Sequence, residues 1–147
     1  MQGCDFMGTK INDFIEHKLN GMQGLLDNKI RPLLVNEAKS KAYWKDRSGD
    51  ARRGLKGGVE VEGRKYTLYL AHSEEYGQWL EEGTGIYGPM HRPIVPVNKK
   101  VLSWLDEDGK RHFAKKVKGM KPMSILRDTL EKNKNNVANE IIRYWSE

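Results

Sequence analysis

The sequence predicts an α+β fold: a small antiparallel sheet of two hairpins, with a long N-terminal helix, a short central helix and a C-terminal helix. Three observations predict it. Apolar residues recur at helical spacing at both ends of the chain. Two stretches between them alternate apolar and polar residues around turn sequences. The strand–helix–strand alternation and βα-loop signatures of a nucleotide fold are missing.

The first helix is read from Ile11, Ile15, Leu19, Met22, Leu26, Ile30 and Leu33, whose spacing puts one apolar stripe on one face. Phe14, Leu25 and Leu34 widen it. Gly21 and Gly24 weaken the helix by about 1 kcal/mol each relative to Ala. Pro32 lacks a backbone donor and predicts a kink over residues 28–32. Residues 1–37 are thus expected to be an amphipathic helical arm, laid on the chain's own core or on a neighbouring subunit. Residues 38–147 are expected to be the α+β domain.

A polar, turn-rich segment follows. Ser48 is expected to cap a short helix carrying Asp50, Ala51, Arg52 and Leu55, with Gly57 and Gly58 ending it. Val59 and Val61, then Tyr66, Leu68 and Leu70, form a hairpin whose two-residue turn is Gly63-Arg64. Ser73 is expected to cap a helix over 74–82, with Glu74 and Glu75 in its first turn and Tyr76, Trp79 and Leu80 on its buried face. Gly83-Thr84-Gly85 stops it. Residues 85–96 read as loop, with Ile94, Val95 and Val97 as a short edge strand. A second hairpin is expected from 101–105 and 111–117, turning at 106–109. The last helix is expected over 123–144, with Leu126, Leu130, Val137 and Ile141 as its face, Asn133 as an interruption and Trp145 as an anchor.

Composition narrows the function. The 147 residues include 26 Lys and Arg against 20 Asp and Glu, a net charge of +6, with 37% hydrophobic and 31% charged residues. Four Trp, six Tyr and three Phe are enough to seed a core. A domain of this length buries about two-thirds of its unfolded surface, so no staple is required. No apolar run approaches the roughly 18 residues of a membrane span. The opening MQGCDFMGTK has neither the pattern of a signal peptide nor Gly at position 2 for myristoylation. With Cys4 alone, neither an intrachain disulfide nor a Cys-based zinc site is expected, which points to a reducing cytosol.

Charge is unevenly spread. Residues 39–56 and 99–121 each carry a net +5, whereas 72–87 carry −4. Basic patches meet phosphate, or they meet acidic patches on copies of the same chain.

Chemistry is sparse. No two of His17, His72, His91 and His112 stand at i, i+4. His72 with Glu74 and Glu75 is a conceivable metal corner, read more simply as a His at a helix start. Residues 83–88 are Gly-rich but lack the Lys-Ser/Thr of a phosphate loop and read as a turn. Cys4 has no base nearby in sequence. Glu81 and Glu82 are adjacent on a helix and point to different faces. No nucleophile, base and orienting group assemble, so a non-enzyme without cofactor or metal is expected.

Three segments carry a resemblance. Trp44-Lys45-Asp46-Arg47-Ser48-Gly49-Asp50-Ala51-Arg52-Arg53-Gly54-Leu55 is close to W-x-D-R-T-G-x-A-R-x-x-L. Tyr76-Gly77-Gln78-Trp79-Leu80-Glu81-Glu82-Gly83-Thr84 is close to Y-G-x-x-L-E-x-G-T. Phe113-Ala114-Lys115-Lys116-Val117-Lys118-Gly119 leads to Pro122 and the last helix. Over residues 38–130 the chain resembles the tail-completion, or head–tail joining, family of long-tailed bacteriophages and prophages, which are minor tail components. Ser48 stands where Thr is usual, Lys118-Gly119-Met120 replaces a His-Pro-Gly, and Pro122-Met123-Ser124 replaces a Pro-Phe-Leu.

The resemblance implies a structural virion protein. It would assemble as a ring, hexameric by that resemblance, at the head-proximal end of the tail. It would join tail-tube and head-connector proteins and let DNA pass without sequence-specific binding. Its places would be the virion and, during assembly, the host cytoplasm. Opposite patches on one chain suit a head-to-tail ring contact. Arg47, with Asp46 or with the acidic helix, is expected to lock a turn, and Arg52 to brace it. Trp44 is expected in the core. Glu81 and Glu82 are expected to face a neighbour's basic segment, either 39–56 or 99–121 with Lys115, so that reversing both leaves the monomer folded and abolishes joining. The main alternative is a small basic nucleic-acid-binding module, although no helix-turn-helix or RNA-recognition signature is present. A metal-dependent hydrolase is the third reading.

Overall fold

The first helix is one continuous rod over residues 3–41, built from α1 (Gly3–Leu25), a π-helical turn (Leu26–Ile30) and α2 (Arg31–Lys41). The computed structural model describes residues 3–147, with side chains from residue 8 onward. The Cys4 side chain lies outside that range.

The π turn follows from the spacing of the buried residues. Met22, Leu26, Ile30, Leu34, Ala38 and Ala42 are all buried and each stands four residues after the last. In an α-helix every step of four over-rotates by about 40°, so five steps would carry the stripe off the core. A π turn holds more residues per turn and rotates it back. Its bond runs from the Arg31 N–H to the Leu26 carbonyl. Pro32 stands in the first turn of α2, where a missing donor is tolerated. The disturbance expected at Pro32 is therefore an inserted π turn, and it moves the apolar face by one residue. Leu34, expected to widen the stripe, is 1% exposed, whereas Leu33, expected at its centre, is 53% exposed.

Strands β1 (Leu55–Glu62) and β2 (Lys65–His72) form the first hairpin, with Glu62 opposite Lys65 and Gly63-Arg64 as the turn, as expected. Gly57 and Gly58 lie inside β1 rather than ending a helix. Gly57 is a close approach: a Cβ there would sit 3.0 Å from Val35 of α2. Val59, Tyr66, Leu68 and Leu70 pack on Met22, Leu26, Ile30 and Leu34. The Tyr66 hydroxyl donates to the Leu19 carbonyl (2.7 Å).

The last helix, α5 (Ile125–Ser146), runs antiparallel to the first. Lys18 Nζ donates to the Tyr144 carbonyl and the Tyr144 hydroxyl to the Lys18 carbonyl, both at 2.8 Å. Further along, Lys29 pairs with Glu140 (2.6 Å) and Asn133 Nδ2 donates to Glu37 Oε2 (2.7 Å). The inward residues are Ile125, Thr129 and Asn133, followed by Val137, Ile141 and Tyr144. Asn133 is part of the stripe rather than a break in it, because Glu37 and the Thr129 carbonyl accept both bonds of its amide. Tyr144 takes the anchoring role expected of Trp145.

Glu37 is held below the usual glutamate range, first by its hydrogen bond to Lys41 and then by Asn133, against the cost of burial. A lowered folded-state pKa contributes stability above the unfolded value and loses it as pH falls through the folded value. Asn133→Ala removes a buried amide and leaves Glu37 short of a donor, so it is expected to cost about 1–3 kcal/mol at pH 7. That loss should shrink in acid as Glu37 protonates. Urea unfolding at both pH values checks it.

The second hairpin, β3 (Leu102–Leu105) with β4 (Arg111–Ala114), is shorter than expected and forms its own two-stranded ladder, separate from β1–β2. The edge strand expected at 94–97 is a single bridge between Ile94 and Val117. A second core cluster, Ala38, Ala42, Trp44, Leu55 and Ile125, ties the end of α2 to β1 and α5. The N-terminal helix from Met22 onward thus belongs to this chain's own core, while Ile11 and Phe14 stay exposed beyond it.

Candidate functional site

Residues 42–55 turn sharply from α2 into β1, and the turn carries the first motif. Trp44 is buried against Ala38, Ala42, Leu55 and Ile125, as expected. Arg52 in α3 (Asp50–Arg53) holds the turn closed. Its Nε donates to Asp46 Oδ2 (2.7 Å), one Nη to the Ala42 carbonyl (2.9 Å) and the other to the Lys39 carbonyl. One planar fork thereby joins the last turn of α2, the loop and α3. Arg47, expected to do this with Asp46, makes no hydrogen bond or ion pair among the described residues. Arg52 reaches the end of α2 from helical backbone, whereas Arg47 is exposed in the loop. Ser48 is not the cap. The cap position is Gly49 at φ 79°, and the Ser48 hydroxyl accepts the Asp50 N–H (3.3 Å) and bonds the Asp50 carboxylate.

The second motif builds a joint. Helix α4 (Gly77–Glu82) starts three residues later than expected, because residues 73–76 form a turn closed by Gly77 N–H to the Glu74 carbonyl (2.9 Å). Ser73 instead donates its backbone N–H to the Gly54 carbonyl (2.8 Å). Gly77 is buried directly on His72, where a Cβ would overlap the imidazole side chain. Tyr76 and Leu80 are half-buried, but Trp79 is 59% exposed, so the expected buried face is two-thirds right.

Glu81 points inward. Its Oε1 accepts the Leu126 N–H (3.0 Å) at the start of α5 and lies 3.6 Å from His72 Nε2. The Glu81 carbonyl accepts the Ser124 hydroxyl (3.2 Å). The carboxylate satisfies an orphan donor at a helix N-terminus, where negative charge is favoured. The expectation that Glu81 faces a neighbour is therefore wrong; only Glu82, bonded by Gln78 (3.1 Å), is exposed. Glu81→Lys is expected to lower unfolding free energy by about 2 kcal/mol through the lost cap and an ammonium beside His72. Glu82→Lys should stay within about 0.5 kcal/mol of wild type. Thermal melts of both variants check this.

The third segment laces onto the second. Thr84 N–H bonds the Met120 carbonyl, Ile86 N–H the Lys118 carbonyl (both 2.8 Å), and Met120 N–H the Thr84 hydroxyl (2.9 Å). Met123 N–H bonds the Leu80 carbonyl (2.6 Å). Gly83, the expected stop, ends α4 at φ 79°. The three motifs are thus an internal frame, and the Gly-rich run 83–88 is its turn.

What the frame presents outward sets exposed apolar side chains among exposed basic ones. Among the described residues, none from 89 to 124 is buried. Trp79 lines a groove of about 520 Å³ with Met90, Pro93, Ile94, Val95 and Val97; Arg92 lies at the same groove. On the second hairpin, Leu102, Trp104, His112 and Ala114 share one face and Ser103, Leu105, Arg111 and Phe113 the other. Trp104 stacks on His112 (5.7 Å), which bonds Asp106 (2.6 Å). The imidazole, followed by the Lys110 N–H, holds the Asp106 carboxyl below its usual range. Leu105 and Phe113 remain exposed at 50% and 64%. Lys115 is exposed just beyond β4.

Chemistry-bearing clusters are few. Among the described residues, no group of three or more His, Cys, Asp or Glu is placed to hold a metal ion, and no helix is long and apolar enough to cross a membrane. His72 is buried beside Trp44 (6.0 Å between rings) rather than in a corner with Glu74 and Glu75. In comparisons with protein-family models, curated proteins and solved structures, nothing matches the chain.

Proposed function

We propose that this chain is a structural subunit that assembles into a ring at the head-proximal end of a phage tail and joins the tail to the head connector. One observation carries the reading. Residues 89–124, about a quarter of the chain, contribute no buried side chain of their own, yet expose Met90, Val95, Val97, Leu105 and Phe113. An isolated two-stranded hairpin is marginal in water. Such a hairpin and its long approach loop are supported when neighbouring subunits cover them. The rigid frame beneath, locked by Arg52, Glu81 and the 84–120 lacing, suits a part that positions contacts rather than one that closes on a substrate.

The motif resemblance supplies the identity of the assembly. The residues that carry it are those that build the frame: Trp44, Asp46 and Arg52 in the first turn, Gly77, Glu81 and Thr84 in the joint. Tail-tube and head-connector proteins are the partners this reading assigns, with DNA passing through the ring unread.

Lysates of the encoding phage or prophage with this gene deleted test the proposal. Negative-stain images should show full heads lying apart from finished tails. Normal joined particles would remove the joining role. The nucleic-acid alternative makes a different forecast, namely affinity for arbitrary duplex that falls steeply with salt.

A further inference from the structure

We infer that the basic end of the β3–β4 hairpin is a binding surface for the phosphate backbone of duplex DNA, held without reading its sequence. The inference goes beyond the joining role, which by itself requires no affinity for DNA.

The charge of this chain is segregated. Residues 89–124 hold nine of the 26 Lys and Arg but three of the 20 Asp and Glu, a net of +6. That is the net charge of the whole chain, so the other 17 bases are matched by 17 acids. All nine bases are exposed, and none makes an ion pair among the described residues. Outside the segment Lys29, Lys45, Arg52 and Arg64 each find a carboxylate.

The backbone gathers these bases at one end of the hairpin. Lys99 and Lys100 approach Leu102 where Lys115 and Lys116 leave Ala114, its partner across the ladder. Lys118 follows Val117, which bridges Ile94, and Arg92 stands two residues before Ile94. The three acids form the turn at the other end, beyond the four residues of β3, about 13 Å of strand. Two of them are engaged within the chain: Asp106 accepts His112 and the Lys110 N–H, and Glu107 pairs with Lys45.

The residue types select the ligand. Seven of the nine bases are Lys, a point charge on a flexible stem rather than a fork for one carboxylate. Duplex DNA offers a phosphate charge every ~1.7 Å of its axis, so such cations find partners in any register. The acidic tip keeps this two-stranded ribbon out of the groove, where base edges would be read. Single-strand binders add aromatic platforms, but the residues set among these lysines are Val97, Val101, Ala114 and Val117.

Fluorescence anisotropy of a labelled duplex with the full chain tests the surface, at salt from about 20 to 300 mM. Wild type should bind two duplexes of unrelated sequence alike, with Kd of roughly 1–100 μM near physiological salt and log K falling linearly with log salt. Lys115→Gln with Lys116→Gln and Lys118→Gln should weaken binding on the order of 100-fold at low salt and flatten the slope by about three. Lys99→Gln with Lys100→Gln, an independent form, should flatten it by about two. The control removes three exposed charges elsewhere, by Lys56→Gln, Lys65→Gln and Arg127→Gln, and should keep the wild-type slope. Circular dichroism confirms that each form is folded. Absence of duplex binding at low salt overturns the inference, as does a control that loses as much as the triple variant. So does a preference for one duplex sequence, or polyglutamate that competes as well as duplex, which would make the partner an acidic protein. The deletion lysates answer a separate question. Separated heads and tails without duplex affinity would leave the joining role and remove this surface. Normal particles beside the expected salt slopes would remove the joining role and leave the surface.

Discussion

Gly119→Ala is expected to be among the most damaging single-methyl changes in this protein, lowering unfolding free energy by about 3–5 kcal/mol. Gly119 has φ +93°, and a Cβ there would overlap the Thr84 carbonyl and approach the Gly85 Cα to 2.7 Å. Gly85, at φ +64°, faces it across the same lacing and would meet the Lys118 carbonyl. Two backbones lie where neither tolerates a side chain, and both are backbone obstacles that cannot rotate away. Gly109→Ala is the control. It has φ +76° but open space around it, so only the left-handed conformation is penalised, about 1–2 kcal/mol. Denaturant midpoints for the two variants separate conformational strain from close approach. Equal losses would mean that the 84–120 junction is not a tight contact.

Arg52→Ala is expected to cost about 2–3 kcal/mol. The variant leaves the Asp46 carboxylate unpaired and two part-buried carbonyls, of Lys39 and Ala42, without their donor. The side chain is about a third exposed, and the surface share of the Asp46 pair adds little. Most of the loss comes from the carbonyls. Arg52→Lys should recover less than half, because one ammonium cannot span three acceptors set in a fork. Arg47→Ala should change stability by no more than about 0.5 kcal/mol. Chemical denaturation of the three variants checks the order, and an Arg47 loss equal to that of Arg52 would reassign the brace.

Much of the architecture was legible in the sequence because local chemistry decides it. The α+β order, the Gly63-Arg64 hairpin turn, Trp44 in the core and Gly83 as a helix stop all follow from spacing and turn residues. The errors share a cause, in that tertiary partners outweighed local pattern. Steps of four from Met22 to Ala42 are in the sequence, and they signal a π turn once all six of those residues are known to be buried. A step of three to Leu33 fits a straight helix equally well, so the phase slipped by one residue. Asn133 looked like an interruption because its partner, Glu37, is far away in sequence. Glu81 looked like a surface charge because α5, whose start it caps, comes more than forty residues later. Helix α4 lost its expected first turn because Ser73 bonds Gly54 across the hairpin end. The groove at Trp79 leaves no local signal, since Trp79 at i+3 from Tyr76 has the spacing of a buried face. The nearest signal was the run of prolines and exposed-length loop from 85 to 96, too long to be a simple connection.

Add-back of the purified chain to separated heads and tails is the most direct measurement of the account as a whole. Heads and tails are harvested from a lysate lacking this gene, mixed, and assayed for infectious particles with and without added wild-type protein. Restoration of joined, infectious particles by the added wild-type protein is the predicted result. A mixture in which heads and tails join equally well without the protein would contradict it.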